Sequence, residues 1–190
     1  QSDWSDPMGN IFLAVALADE ERHALAAALT QADLARLIPG KRTKPSNWHI
    51  TVRFVGPATD TQLDMLAERT EALLDSEPGR VWLSGLGAFP HFSKASVLYA
   101  AVDDPNGVLG ELAATGEMAA TDVGFEPEGR PYVPHMTLSR VRPVRDLSSI
   151  EDAFDEARIP ISVETVTLFQ TRSTTDGPEY VPVHRFPLKR

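Results

Sequence analysis

The chain reads as an α+β protein with two similar lobes of largely antiparallel sheet and outer helices. Three observations predict this. Strand-like runs alternate with amphipathic helical stretches carried between them. One plan recurs in each half: a helix, a strand bearing a His-x-Thr triplet, and another helix, with His49 and His135 lying 86 residues apart (135 − 49). No Pro- or Ser-rich linker divides the halves, so residues 9–190 are expected to form one bilobal domain. No repeat of solenoid or propeller length is present.

Residues 1–8 are polar and include two Ser and two Asp. They are expected to be a disordered end or an expression remnant, with Met8 as a natural start. Ile11 to Leu17 follows as a strand. Asp19 to about Arg36 carries Ala, Leu, Glu and Arg at helical spacing, with Asp19 as N-cap and Pro39-Gly40 as the stop. The first triplet strand ends at the Gly56-Pro57 break. Thr59 or Asp60 then caps a helix to about Ser76, with Leu63, Leu66, Leu73 and Leu74 inward. Val81 to Phe89 and Ser96 to Val102 read as strands around a Pro90 to Lys94 loop. Pro105-Asn106-Gly107 opens a helix to about Ala120, and a loop rich in Gly, Pro and Glu leads to the second triplet strand. A short helix, Leu147 to Ala157, precedes strands at Ile161 to Gln170 and Tyr180 to Phe186, joined by a turn at Asp176-Gly177.

With 42% apolar and 24% charged residues, the composition is that of an ordinary globular protein, and 190 residues suffice for one sizeable core. No apolar run is long enough to cross a bilayer. Ile11 to Ala18 lacks a basic leader and is soon followed by Asp19, Glu20 and Glu21, unlike a secretory signal. The absence of cysteine excludes disulfides and thiolate chemistry, and cytoplasmic residence is the expected setting. The net charge of −9 argues against gripping long duplex nucleic acid, which demands an extended basic surface. It leaves room for one terminal phosphate. Lys41, Arg42 and Lys44 precede the first triplet, either as local positive charge or as a solvated loop.

The triplets stand in Trp48-His49-Ile50-Thr51-Val52-Arg53-Phe54 and Pro134-His135-Met136-Thr137-Leu138-Ser139-Arg140. Strand alternation puts His49 with Thr51 on one face and Trp48, Ile50, Val52 and Phe54 on the other, so Trp48 and Phe54 are expected in the core. His135 and Thr137 likewise point away from Met136 and Leu138. Each pair offers a titratable imidazole beside a hydroxyl, and two facing pairs can bind a phosphate and move protons on both sides of it. Five His and fourteen Thr give about 0.4 such triplets by chance, so the matching strand context carries the argument. His23, His91 and His184 read as structural or solvated. Glu151, Asp152, Asp155 and Glu156 read as a solvated acidic face. Neither His-Glu-x-x-His spacing nor a thiolate supports a metal site, and no Walker-type lysine pattern supports a nucleotide loop.

The segments Asn47 to Gly56 and Arg130 to Arg140 resemble the paired motifs of the two-histidine phosphoesterase superfamily, particularly its LigT-like RNA 2′,3′-cyclic phosphodiesterases. Ile11 to Val15, Phe89-Pro90, Val97 to Tyr99 and Gly177 to Leu188 are similar to further parts of that pattern. The resemblance implies a bilobal fold around a central cleft, with one triplet strand on each side. It implies a metal-free, cofactor-free enzyme that opens a ribose 2′,3′-cyclic phosphate to a 2′-phosphomonoester. RNA ends or small cyclic nucleotides are the expected substrates, and a monomer working away from membranes is the expected form. His135 is expected as base on water and His49 as acid on the 3′ oxygen, with Thr51 and Thr137 donating to phosphate oxygens. Arg140 matches the phosphate-side arginine of that family, although it lies five residues after His135 and so on the opposite face of a regular strand. A bulge or strand end at Ser139 reconciles the two. Arg53 shares parity with His49, and a surface arginine is an equal reading. Cleavage or joining of 2′-5′ linkages and non-catalytic binding of RNA ends are the rival functions. An ATP-dependent ligase lacks its nucleotide-loop and lysine signatures.

Overall fold

Alternating burial along the strands lays out the architecture. The computed structural model describes residues 9–189; the expectation for residues 1–8 lies outside the described residues. In chain order the elements are β1 (Asn10–Ala16), α1 (Asp19–Gln31), α2 (Leu34–Leu37), β2 (Lys41–Arg42), β3 (His49–Pro57), α3 (Asp60–Leu73), β4 (Gly79–Phe89), β5 (Ala95–Asp103), α4 (Val108–Asp122), β6 (His135–Arg145), β7 (Ile159–Val163), β8 (Thr165–Thr174) and β9 (Gly177–Pro187). One antiparallel sheet has the order β3-β1-β8-β9, the other β2-β6-β5-β4-β7. Each triplet strand therefore belongs to a different sheet. The chain passes between the sheets repeatedly, since β1, β3, β8 and β9 share one and β2 and β4 to β7 share the other.

Apolar positions at period two bury one face of each sheet. Ile11, Leu13 and Val15 of β1 and Ile50 and Val52 of β3 are core, as are Leu98 and Ala100 of β5 and Met136 and Leu138 of β6. Helix α4 lies against β3, where Gly116 packs on Leu13 and on the Arg53 stem. Helix α1 lies against β7, and the Ser162 backbone N–H donates to Glu21 Oε2 at 2.8 Å. Thr59 caps α3 reciprocally with Gln62, accepting from its backbone N–H at 3.1 Å.

Several elements differ from the sequence expectation. Ala18, not Asp19, is the N-cap of α1, because Glu21 reaches back to the Ala18 N–H at 2.8 Å. The helix breaks at Asp33, which is left-handed with φ of 61°. β3 continues through Gly56-Pro57. No α-helix forms over Leu147 to Ala157; only a 3₁₀ turn at Ser148–Ile150 and successive turns closed by i→i+3 bonds appear. The apolar spacing there is helical, with Leu147, Ile150 and Phe154 buried. Like charges at Glu151/Asp155 and Asp152/Glu156 would stand one helical turn apart and oppose an α-helix. The expected strand 161–170 splits at Glu164 into β7 and β8, which pair in different sheets.

A strap joins the first triplet strand to the segment that leads into the second. Arg53 is 8% exposed and not on the surface. Its Nε donates to Glu117 Oε1 of α4 at 2.7 Å, and its guanidinium also donates to the carbonyls of Phe54 and, at 2.8 Å, Glu126. Glu117 in turn accepts from the Glu128 N–H at 3.1 Å. Further along, the Tyr132 hydroxyl donates to the Thr51 carbonyl at 2.8 Å. Burial, then the Asp104 charge, pushes this phenol far above its ordinary pKa, so it stays a donor. Replacing Arg53 with Ala is expected to cost about 2–3 kcal/mol, below the 3–5 typical of a fully buried pair because Glu117 is 35% exposed. Urea denaturation of Arg53→Ala beside the parent checks this; a loss under 0.5 kcal/mol would contradict the strap.

Candidate active site

Both imidazoles are tethered in the same way. His49 Nδ1 donates to the Asn47 carbonyl and His135 Nδ1 to the Val133 carbonyl, each at 2.7 Å. A carbonyl can only accept, so Nδ1 carries a proton in both rings and Nε2 is the working atom. His49 Nε2 lies 3.0 Å from Thr51 Oγ1, whose hydroxyl donates to it when the ring is neutral. His135 Nε2 has no protein hydrogen-bond partner among the described residues. Both rings are half-buried.

Each ring is also braced by one Phe and one Tyr from other strands of its own sheet. His49 packs between Phe12 and Tyr180, both with centroids at 5.1 Å. His135 packs between Phe89 at 5.0 Å and Tyr99 at 5.1 Å. Gly87 makes the second brace possible: Tyr99 lies across it, and a Cβ there would collide with the hydroxyl end of its phenol. Burial raises the pKa of Tyr99 and of Tyr180, with the Arg140 charge opposing the shift at Tyr180. These four aromatics were not singled out as site residues in the sequence. Their strand parity places them on the triplet faces, but only the sheet order puts them beside the histidines.

The awkward spacing of Arg140 is resolved by a bulge. Tyr99 pairs with Thr137 and Leu98 with Ser139, leaving Leu138 as the extra residue. Alternation restarts one residue late, so Ser139 and Val141 are buried and Arg140 joins His135 and Thr137 on the open face. The irregularity is thus one residue before the Ser139 expected. β3 repeats it: Ala14 pairs with Thr51 and Leu13 with Arg53, making Val52 the extra residue. This shift corrects two expectations, because it turns Arg53 into the core and Phe54 outward. Phe54 is 53% exposed, at the position in its lobe that Arg140 holds in the other. Trp48 is core as expected, at 6% exposure.

The two faces meet. Burial holds the His49 imidazole below its ordinary pKa; the Asn47 hydrogen bond acts the other way, and the positive charges of His135 and Arg140 depress it further. His49, His135 and Arg140 are therefore close enough to act on one another electrostatically, with Thr51 and Thr137 on the strand faces of their histidines. Two of the other histidines have partners of their own: His91 Nδ1 bonds Ser93 Oγ at 2.6 Å, and His184 stacks near Phe186. Of the basic trio, Arg42 donates to the carbonyls of Ala35 and Ile38 behind the sheet, whereas Lys41 and Lys44 are exposed. Among the described residues no cluster of three or more His, Asp or Glu is arranged to hold a metal. None of their helices is long and apolar enough to cross a membrane.

Comparison with known proteins places this geometry in context. Residues 20–175 match the model of the 2′-5′ RNA ligase superfamily. The chain is 31% identical over 147 residues to the RNA 2′,3′-cyclic phosphodiesterase of Aeropyrum pernix, covering 75% of this chain and 83% of that protein. It is 29% identical over 149 residues to the Bacillus subtilis protein of the same name, covering 78% and 80%. E. coli LigT, solved in complex with 3′-AMP, has the same fold with a TM-score of 0.74 at 20% identity, covering 96% of this chain and 99% of that one.

The depressed basicity of His49 has a measurable consequence. In NMR titrations of the free protein its ring is expected to titrate below the ordinary value near 6.5. Inorganic phosphate is expected to raise that midpoint, since an anion in the cleft favours the imidazolium. A free-protein midpoint at or above 6.5, or one indifferent to phosphate, would contradict the described electrostatics.

Proposed function

The chain belongs to the 2′-5′ RNA ligase superfamily and is a phosphodiesterase; from that premise we propose that it opens the 2′,3′-cyclic phosphate of an RNA end to a 2′-phosphomonoester. The observation that carries this reading is the pair of Nδ1-tethered imidazoles, one from each sheet, with His49 Nε2 beside the Thr51 hydroxyl and His135 Nε2 without a protein partner among the described residues. Relatives named for this reaction support the choice of substrate.

His135 Nε2, free of protein partners, takes a proton from the attacking water. The water oxygen bonds to phosphorus as the bond to the 3′ oxygen breaks. His49 Nε2 delivers a proton to that departing oxygen. Its depressed pKa makes the imidazolium a strong donor; with His135 neutral as the base, the bound phosphate anion offsets the remaining Arg140 charge so that His49 can be protonated beforehand. The Thr51 hydroxyl leaves His49 to donate to one non-bridging phosphate oxygen, and Thr137 donates to another. Arg140 supplies a forked, charge-assisted contact. These donors are held by strands, so little reorganisation accompanies the growth of negative charge.

The reading needs no metal, and residence in the cytoplasm as a monomer fits it. Joining or cleaving 2′-5′ linkages is the second reading, favoured by the superfamily to which the match was found. The same acid and base serve it with their roles exchanged.

Product analysis on an RNA ending in a 2′,3′-cyclic phosphate is expected to give a 2′-phosphate end. A 3′-phosphate, or turnover confined to 2′-5′ linked adenylates, would overturn the first reading. His49→Ala and His135→Ala should each lower turnover by about 10²–10⁴-fold with melting intact. Saturating EDTA should leave the rate unchanged; a loss restored by zinc would defeat the metal-free mechanism.

A further inference from the structure

We propose that Lys41 and Arg142, on either side of Arg140, hold the phosphodiester one nucleotide upstream of the cyclic phosphate. The enzyme then favours the end of a polynucleotide over a cyclic mononucleotide. The inference rests on the cyclic-phosphate reading of the cleft.

Lys41 pairs directly with Arg140 across β2 and β6, so the two side chains share a face. That face is the one His135 and Thr137 occupy, because of the bulge at Leu138. Arg42 falls on the other face, opposite the buried Ser139, and is spent on α2 carbonyls. Gly40, with φ of 85°, seats β2 hard against β6: a Cβ there would collide with the Arg140 carbonyl oxygen. Arg142 stands two residues beyond Arg140, past the buried Val141, and is also exposed; just beyond it the β5–β6 register shifts again, from Val97 opposite Arg140 to Ala95 opposite Arg145.

Like charges directly opposite each other destabilise a sheet. Here neither Lys41, Arg140 nor Arg142 has an acidic partner among the described residues, although acidic residues outnumber basic ones by 27 to 18. Seven other arginines, Arg22, Arg36, Arg53, Arg69, Arg130, Arg158 and Arg172, are in ion pairs, whereas Arg80, Arg145 and Arg185 share with these three the lack of one among the described residues. A strip of uncompensated cations continuous with the phosphate cleft fits a second phosphate on the same strand. A 2′,3′-cyclic mononucleotide with a free 5′ hydroxyl has none.

The test compares kcat/KM for such a cyclic mononucleotide with that for a five-nucleotide RNA carrying the same cyclic end. In Lys41→Ala and in Arg142→Ala the RNA-to-mononucleotide ratio is expected to fall by about tenfold. The salt dependence of log(kcat/KM) on the RNA should become shallower by about 0.7 per cation removed. Binding of a 2′-phosphate-ended RNA, followed by fluorescence anisotropy, gives a readout that requires no turnover. Weaker RNA binding in the variants supports the subsite even if the parent hydrolyses neither substrate, a result that would count against the hydrolase reading alone. Unchanged ratio and unchanged RNA affinity, or equal losses on both substrates, overturn the subsite.

Discussion

A β-strand shows only alternate residues to one face, and this site needs residues at offsets of zero, two and five from a histidine on the same face. The offsets cannot coexist on a regular strand. One extra residue three places after each histidine, Val52 in β3 and Leu138 in β6, removes the conflict. The side chains before the irregularity carry the imidazole and the hydroxyl. Those after it carry Arg140 in one lobe and Phe54 in the other. The lobes share a backbone device and differ in what they display with it: a guanidinium on one side, an exposed aromatic ring on the other.

The second constraint is electrostatic. A cleft that is to receive a phosphate gathers positive charge and loses water, and both disfavour a protonated imidazole inside it. The fold holds the rings through main-chain carbonyls instead of carboxylates. A carbonyl fixes the tautomer without placing a negative charge that would repel the substrate. Aromatic braces fill the remaining space around each ring with apolar surface. His49 is consequently held toward its neutral form, and a phosphate ligand's own charge opposes that bias.

Much of this was legible in the sequence. Alternation alone assigned His49 with Thr51 and His135 with Thr137 to open faces, and apolar runs located most strands to within a few residues. What was hidden depended on long-range pairing. No local signal marks Val52 or Leu138 as extra residues, since both are apolar and buried as regular alternation expects; only the partner strand reveals the shift. For that reason Phe54 was read as core and Arg53 as a possible surface group, the reverse of their placement. The segment 147–157 misled differently. Its apolar spacing is helical, but the acidic pairs between those positions oppose the helix, and the turns bury the same apolar side chains. The split at Glu164 followed from sheet membership, which no composition of the run 159–170 encodes.

Holding each histidine by its own main chain has a consequence for evolutionary drift. Because the Asn47 and Val133 carbonyls are supplied whatever side chain those residues carry, the orientation of each ring is insulated from substitution at its immediate neighbour. The sequence around a ring can therefore turn over extensively while its reactive nitrogen keeps its aim. The few places without that freedom are those where backbone meets a flat ring or another strand, as at Gly87 beneath Tyr99. Lineages of such a protein should look permissive in identity and strict in shape.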